Sequence, residues 1–162
     1  MAIKGSRPED GRVTAHLLVR GAEQAMEFYK RAFGATELYR SPMPDGNGIH
    51  AKVRIAKSVV LISDERPVAP GGPGVSLHSP QTLGGTSTVF ELYVDDADAA
   101  YQRAVSAGAT PTLPVSDTFW GDRYGWVTDP FGHIWAVMTA KAEVTPEEVE
   151  TRMAEYATRG GR

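Results

Sequence analysis

Residues 16–36 read HLLVRGAEQAMEFYKRAFGAT, and residues 91–110 read ELYVDDADAAYQRAVSAGAT. The two stretches align at an offset of 75, and Gly34-Ala35-Thr36 falls on Gly108-Ala109-Thr110 once one residue is deleted. Four further identical pairs are Leu17 with Leu92, Val19 with Val94, Ala22 with Ala97 and Ala25 with Ala100. A supersecondary unit that occurs twice predicts a fold built from two similar halves.

Both stretches begin with a strand-like run and continue directly into a helix. Apolar residues recur at helical spacing over residues 22–33 in the first copy and 97–105 in the second. Gly34 suits the left-handed residue that ends the first helix, and Asp95 or Asp96 can cap the start of the second. Each copy therefore predicts one helix between strands.

Further strand-like runs follow each helix, so each copy reads β-α-β-β-β. These runs cover residues 37–39, 50–55 and 58–63 in the first half, and 110–115, 124–128 and 133–139 in the second. The two modules are predicted at residues 13–63 and 89–139 of a single domain. The predicted fold class is α+β.

The segment between the modules, residues 64–88, contains four Pro and five Gly and is predicted to be a linker. It is either a plain connector, or a lid over a cavity or a dimer contact. After the second module, Thr145-Pro146-Glu147-Glu148 forms a capping box that predicts a helix over residues 145–157. This helix packs either on its own domain or on a partner subunit.

The composition excludes several classes of protein. The 162 residues include 20 acidic and 17 basic ones, so neither nucleic acid nor a membrane surface is expected as a partner. The chain has no cysteine, which excludes disulfides, thiolate metal sites and cysteine nucleophiles. No apolar run approaches the roughly 20 residues that span a bilayer, and no signal-peptide pattern is seen, so a cytoplasmic location is expected. Neither a Ser-His-Asp order nor a phosphate-binding glycine loop appears.

Two motifs accompany the repeat: FYK-x-A-FG-A closes the first helix, and DPFGH opens the last strand. Together they resemble the vicinal oxygen chelate superfamily, which includes glyoxalase I, extradiol dioxygenases and the bleomycin- and fosfomycin-resistance proteins. VRGAEQAMEFYKRAFGA, IHAKVRIAKSVVLISDE, SPQTLGG and FWGDRYGWVTDPFGHIW are similar to its PhnB-like branch. The resemblance implies eight strands in a cupped mixed sheet with helices outside and a cavity within. It also implies a homodimer, often with exchanged strands or terminal segments.

The enzymes of this superfamily bind a divalent metal through four side chains, which lie on the first and last strands of each module. Counted from the motifs and the repeat, these positions fall on Thr14, Leu61, Val89 and Ala136. None of the four is a good metal ligand, because each lacks an imidazole, carboxylate or thiolate. The resemblance therefore implies no metal at the usual site, and we expect no cofactor, with a displaced divalent metal as the alternative.

His16 and Glu91 lie two residues beyond two of these positions, so they point to the same face as those positions. They are also equivalent in the repeat. Three interpretations stay open for them: a hydrogen-bonded structural pair, a ligand-contacting or acid–base pair, and a displaced metal site.

Five other residues are candidates for ligand contact. His50 begins a strand and aligns with Tyr124, which places both near one rim of the cup. Trp120, Asp122 and Arg123 precede Tyr124, and this set could stack on a planar ligand and bind its acidic group. A structural Asp–Arg pair with Trp120 filling a gap is the alternative. His133 and Trp135 are assigned to structure.

Two functions fit these features of the sequence. The first is a metal-independent protein that binds a small organic ligand, of drug-resistance or sequestration type. The second is an enzyme of the superfamily (a lyase, isomerase or dioxygenase) that uses a displaced metal or the His16 and Glu91 pair. The sequence does not identify the ligand, because a fold and a cavity do not specify chemistry.

Overall fold

A computed structural model describes residues 13–158 and shows an α+β fold. Module 1 contains β1 (Ala15–Val19), α1 (Ala22–Phe33), β2 (Thr36–Pro42), β3 (Ile49–Ile55) and β4 (Ser58–Asp64). Module 2 contains β5 (Val89–Tyr93), α3 (Ala97–Ala107), β6 (Thr110–Asp117), β7 (Asp122–Thr128) and β8 (Ile134–Ala140). Between them lies α2 (Pro80–Leu83), and α4 (Pro146–Thr158) follows. The predicted β-α-β-β-β repeat is confirmed.

The two modules have the same sheet topology. Module 1 has the strand order β1-β4-β3-β2, and module 2 has the order β5-β8-β7-β6. In each sheet the first and last strands pair in parallel and the remaining pairs are antiparallel, so both sheets are mixed. The eight predicted strands are therefore divided between two sheets of four in this chain rather than continuous in one.

Each sheet has one face covered by its helix and one face that the chain leaves open. In β3, Ile49, Ala51, Val53 and Ile55 are buried toward α1, whereas the residues between them are half-buried on the other side. Side chains alternate across a strand, so each strand contributes residues to both faces, although some on the second face are also buried, such as Ala136 and Met138 of β8. We call these two surfaces the open face of module 1 and the open face of module 2.

The modules are joined by an aromatic core and one buried carboxylate. Tyr29 and Phe33 of α1 pack against Trp135 of β8, with ring centroids 5.5 and 4.7 Å apart. Asp129 accepts hydrogen bonds from the Tyr29 hydroxyl at 2.6 Å and from Trp135 Nε1 at 3.0 Å. Its other oxygen accepts the backbone N–H groups of Phe131 and His133. The DPFGH motif therefore serves module packing, and the structural role predicted for Trp135 is confirmed, whereas that of the His133 side chain stays a prediction.

Two acidic side chains at the end of β4 accept hydrogen bonds from other segments of the chain. Asp64 accepts the backbone N–H groups of Gly21 and Ala22, so it caps α1 from another strand. Glu65 accepts bonds from Ser79 and Thr82, which fixes the linker and α2 against module 1.

The C-terminal helix α4 is confirmed with its capping box, in which Thr145 and Glu148 bond each other's backbone N–H groups. None of its residues is buried. Tyr156 contacts Phe119 with ring centroids 5.7 Å apart, and Met153 is 51% exposed. The apolar stripe of α4 therefore stays largely uncovered. Over residues 13–158, no helix is long and apolar enough to cross a membrane.

Candidate ligand-binding site

The open face of module 1 presents a pair of histidines. His16 on β1 shares a hydrogen bond of 2.9 Å between its Nε2 and the hydroxyl of Ser63 on β4. Its ring meets that of His50 on β3 edge-on, at 5.5 Å between centroids. Ser63 lies between them in the sheet, since it pairs with His50 across the β3–β4 ladder. The structure thus joins two of the predicted site residues.

The environment of His16 favours the neutral imidazole. Partial burial lowers its pKa below the usual value of 6.5, and the neighbouring charge of His50 lowers it further. A neutral imidazole both donates and accepts a hydrogen bond, so His16 can contact a ligand of either kind near neutral pH.

The linker borders this face of module 1. A cavity of about 170 Å³ is lined by His16 and Leu18 of β1, by His133, and by linker residues that include His78 and Leu83. His133 is held there by a hydrogen bond between its Nε2 and the Leu18 carbonyl. The Nδ1 atom of His78 is buried without a hydrogen-bond partner. The sequence predicts no role for His78, because a single histidine in a linker belongs to no recognisable pattern.

The open face of module 2 is acidic and aromatic. Asp122 at the start of β7 is 8% exposed, and its carboxylate accepts hydrogen bonds from the Tyr93 hydroxyl and from Trp120 Nε1. The Trp120 ring lies edge-on to Tyr124, with centroids 5.4 Å apart. Tyr124 in turn lies edge-on to Trp126 at 6.2 Å. Asp122 therefore fixes one end of a row of aromatic rings.

Two residues of this face were missed by the sequence analysis. Trp126 is half-buried, and its Nε1 is buried without a hydrogen-bond acceptor. Tyr93 is 58% exposed beside Asp122. Tyr93 lies two residues after Glu91, and Trp126 lies two residues after Tyr124. The alternation of side chains along a strand could therefore have placed both on this face.

Arg123 does not join the aromatic row. Its guanidinium makes two hydrogen bonds of 2.8 Å to Asp98 of α3 and a third to Asp117. It alternates with Asp122 and Tyr124 along β7 and therefore lies on the helix side of the sheet. The structure thus places Arg123 on the opposite side of the sheet from Trp120, Asp122 and Tyr124. These four residues therefore do not form the predicted site for an acidic ligand within one chain.

His16 and Glu91 also lie apart within the chain. His16 bonds to Ser63, whereas Glu91 lines a groove of about 820 Å³ between β5 and the β3–β4 turn at residues 56–58. Over residues 13–158, no hydrogen bond or ion pair joins the two side chains. Their sheets are separate, so the equivalence in the repeat does not bring them together in one chain.

The positions that hold a metal in the superfamily do not fit one here. Leu61 pairs with His16 in the β1–β4 ladder, Ala136 pairs with Glu91 in the β5–β8 ladder, and Val89 lies two residues before Glu91 in β5, so three of the four lie on the open faces. None of these three has a lone pair to offer a metal. In the part of the chain that is described, no cluster of three or more His, Asp or Glu side chains could hold an ion.

The comparison with protein families agrees with this architecture. A family model described as the Glyoxalase/Bleomycin resistance protein/Dioxygenase superfamily matches residues 12–137. The chain belongs to this superfamily. The match covers module 1 and module 2 as far as residue 137, within β8.

The chain is similar to several proteins. An uncharacterized protein of Mycobacterium tuberculosis is 44% identical over 142 residues, which cover 88% of this chain and 82% of the relative. TioX from Micromonospora sp. ML1 is 28% identical with a TM-score of 0.60, covering 79% of this chain and 97% of TioX. The structure of the Arabidopsis thaliana At5g48480 product is 31% identical with a TM-score of 0.59, covering 78% and 96%.

Proposed function

We propose that this superfamily member is a metal-independent protein that binds a small organic molecule in a cavity completed by a second copy of the chain. It would act as a cytoplasmic homodimer of the PhnB-like branch. Polar and aromatic side chains gathered on two open faces carry the proposal, since ligand sites combine apolar walls with a few placed polar groups.

The charge distribution supports an arrangement in which unlike modules face each other. Residues 13–64 contain seven basic and five acidic residues, whereas residues 89–140 contain two basic and seven acidic residues. Two copies that place module 1 of one against module 2 of the other bring opposite charges together. This arrangement also places His16 of one copy on the same cavity as Glu91 of the other.

The chemistry of the residues supports binding without metal. Leu61 and Val89 supply apolar surface where the superfamily's enzymes have ligands, Ala136 is fully buried, and Thr14 supplies only a hydroxyl. Apolar side chains at these positions favour an organic molecule over a hydrated ion.

A second candidate is an acid–base enzyme of the superfamily. The hydrogen bond between His16 and Ser63 and the lowered pKa of His16 favour it, because a neutral imidazole held by a hydrogen bond can act as a general base. The partner's Glu91 would then orient or neutralise His16.

A thermal-shift screen of chelator-treated protein tests the proposal, with aromatic antibiotics, keto acids and divalent metals as the panel. A compound that binds only the native state raises the apparent stability. We expect organic compounds to raise the melting temperature and metals to leave it unchanged. A near-stoichiometric divalent ion that is retained without chelator and lost in His16→Ala or Glu91→Ala would refute metal independence.

A further inference from the structure

We infer that the cavity beside β1 binds a short-chain monocarboxylate, whose carboxylate accepts hydrogen bonds from His16, His78 and Ser87. We call this space of about 170 Å³ the histidine cavity. The inference rests on the proposed ligand-binding function and specifies a chemical class of ligand for one part of the site. The cavity lies within one chain, so it can be tested whether or not a second copy completes a larger site.

The histidine cavity lies where β1, the linker and module 2 meet. His16 and Leu18 are two residues apart on β1, so both lie on the open face of module 1. Linker residues between 78 and 87 form a second wall. His133, which precedes β8, forms the third wall, and its Nε2 lies 3.1 Å from the Leu18 carbonyl. Both modules therefore border a space that exists within one chain.

The linker wall is held in place by hydrogen bonds to both modules. Glu65 accepts bonds from the backbone N–H and the hydroxyl of Ser79. On the other side, Gln81 of α2 donates to the Pro130 carbonyl, in the turn that precedes β8, at 3.0 Å. A cavity whose walls are already ordered loses little conformational entropy when it binds a ligand.

Three side chains of the histidine cavity can donate hydrogen bonds to a ligand. His78 Nδ1 is buried and has no acceptor, so the proton of the neutral ring lies on Nε2, the nitrogen left for a ligand. The Ser63 hydroxyl can donate to His16 Nε2, 2.9 Å away, and His16 then carries its proton on Nδ1. Within residues 13–158 the Ser87 hydroxyl makes no hydrogen bond. One carboxylate can accept from all three groups, since its two oxygens have about four acceptor sites.

The charges around the histidine cavity favour an anion over a cation. Within residues 13–158, no Asp, Glu, Lys or Arg lines it. The carboxylates behind its walls already have partners: Glu65 forms an ion pair with Arg20 at 2.8 Å, and Asp129 accepts four hydrogen bonds. Hydrogen bonds to a carboxylate are roughly twice as strong as those to a neutral acceptor. The donors of the cavity therefore favour a carboxylate over a neutral molecule of the same shape.

The rest of the lining fits a short hydrocarbon chain. Leu18, Pro80 and Leu83 supply apolar surface. At about 30 Å³ for each water-sized group, the cavity accommodates about six non-hydrogen atoms. A carboxylate with three further carbon atoms fills this volume and places its chain against the apolar wall.

The test compares butyrate with butyramide, which has the same number of non-hydrogen atoms and no charge. Both are titrated into chelator-treated, full-length protein at constant pH and ionic strength, and binding is followed by the imidazole NMR signals. We expect butyrate to bind at least about tenfold more tightly than butyramide. The His78 signal, identified by its loss in His78→Phe, should shift on binding.

His78→Phe also tests the location of the site. It removes both ring nitrogens and keeps a ring of similar size, and the buried Nδ1 has no hydrogen bond to lose, so the melting temperature should not fall. Butyrate affinity, followed by the His16 signal, should fall at least about fivefold. Leu77→Phe is the matched control, because it introduces the same side chain one residue away, at a position that does not line the histidine cavity. It should retain the affinity for butyrate.

Equal affinity for butyrate and butyramide would overturn the carboxylate site and leave ligand binding intact. Unchanged butyrate affinity in His78→Phe would overturn its location. Absence of binding by either probe would also overturn the inference, and the broader compound panel would then decide the proposed function separately.

Discussion

Asp129 shows how one side chain can connect the two halves of the repeat. It is buried and accepts four hydrogen bonds, two from backbone N–H groups of its own turn and two from the side chains of Tyr29 and Trp135. Tyr29 belongs to module 1, so the carboxylate fixes the position of one module against the other. A carboxylate suits this place because it only accepts hydrogen bonds.

Replacing Asp129 with Asn should therefore destabilise the fold strongly. The amide N–H₂ would face donors that need an acceptor, and we expect a loss of about 2–4 kcal/mol in the free energy of unfolding. Tyr29→Phe removes one donor but leaves the carboxylate its three others, and should cost less, about 1.5 kcal/mol. Urea denaturation measures both, and a smaller effect for Asp129→Asn than for Tyr29→Phe would contradict this role.

His16 provides a pH-dependent prediction. Its pKa in the folded protein lies below 6.5, so the unfolded chain takes up a proton first as the pH falls. The contribution of His16 to stability is complete above pH 6.5 and decreases as the pH falls toward its folded pKa. An NMR titration should give a pKa below 6.5 for His16, and His50→Gln should raise it because the charge of His50 is one cause of the shift. An unchanged His16 pKa in His50→Gln would contradict the described contact.

Among the elements, the helices show which features the sequence could predict. Asp96 caps α3 through a bond from Ala99 N, as the local sequence predicted. The cap of α1 could not be predicted, because Gly21 has no side chain and Asp64 reaches the helix from 43 residues away. Local caps are readable from neighbouring residues, whereas a cap from another strand depends on the finished fold.

The helix α4 has an apolar stripe that this chain does not bury. Its centre is Met153, and the stripe continues to Val149 and Tyr156 one turn away on either side. If the stripe packs on a second copy, Met153→Glu should raise the dimer dissociation constant at least about tenfold, since burying such a side chain contributes roughly 1.5–3 kcal/mol. Sedimentation analysis measures the constant.

Thr151→Glu is the matched control, because residue 151 is exposed and lies on the opposite side of α4 from Met153. It introduces the same charge and should leave the dissociation constant unchanged. Equal effects of both substitutions would show that charge, and not contact through the stripe, governs association.

For the whole molecule, the repeat predicted the architecture and the open faces, but not how the faces meet. His50 pairs with Ser63 of β4, and Tyr124 pairs with Met138 of β8. Ser63 and Met138 are equivalent in the repeat, so His50 and Tyr124 lie at equivalent positions, as the alignment implied. The repeat could not predict whether His16 and Glu91 lie close together in one chain. Their proximity depends on how the modules pack, and here Asp129 and the aromatic core hold them together through their helix sides.

The central claim is that the two open faces together bind an organic molecule without metal. The most direct test is a calorimetric titration of chelator-treated protein with the panel compound that gives the largest thermal shift, with metal content measured on the same sample. We predict saturable binding at one molecule per chain with substoichiometric metal. Binding that appears only after a divalent ion is restored would contradict the account.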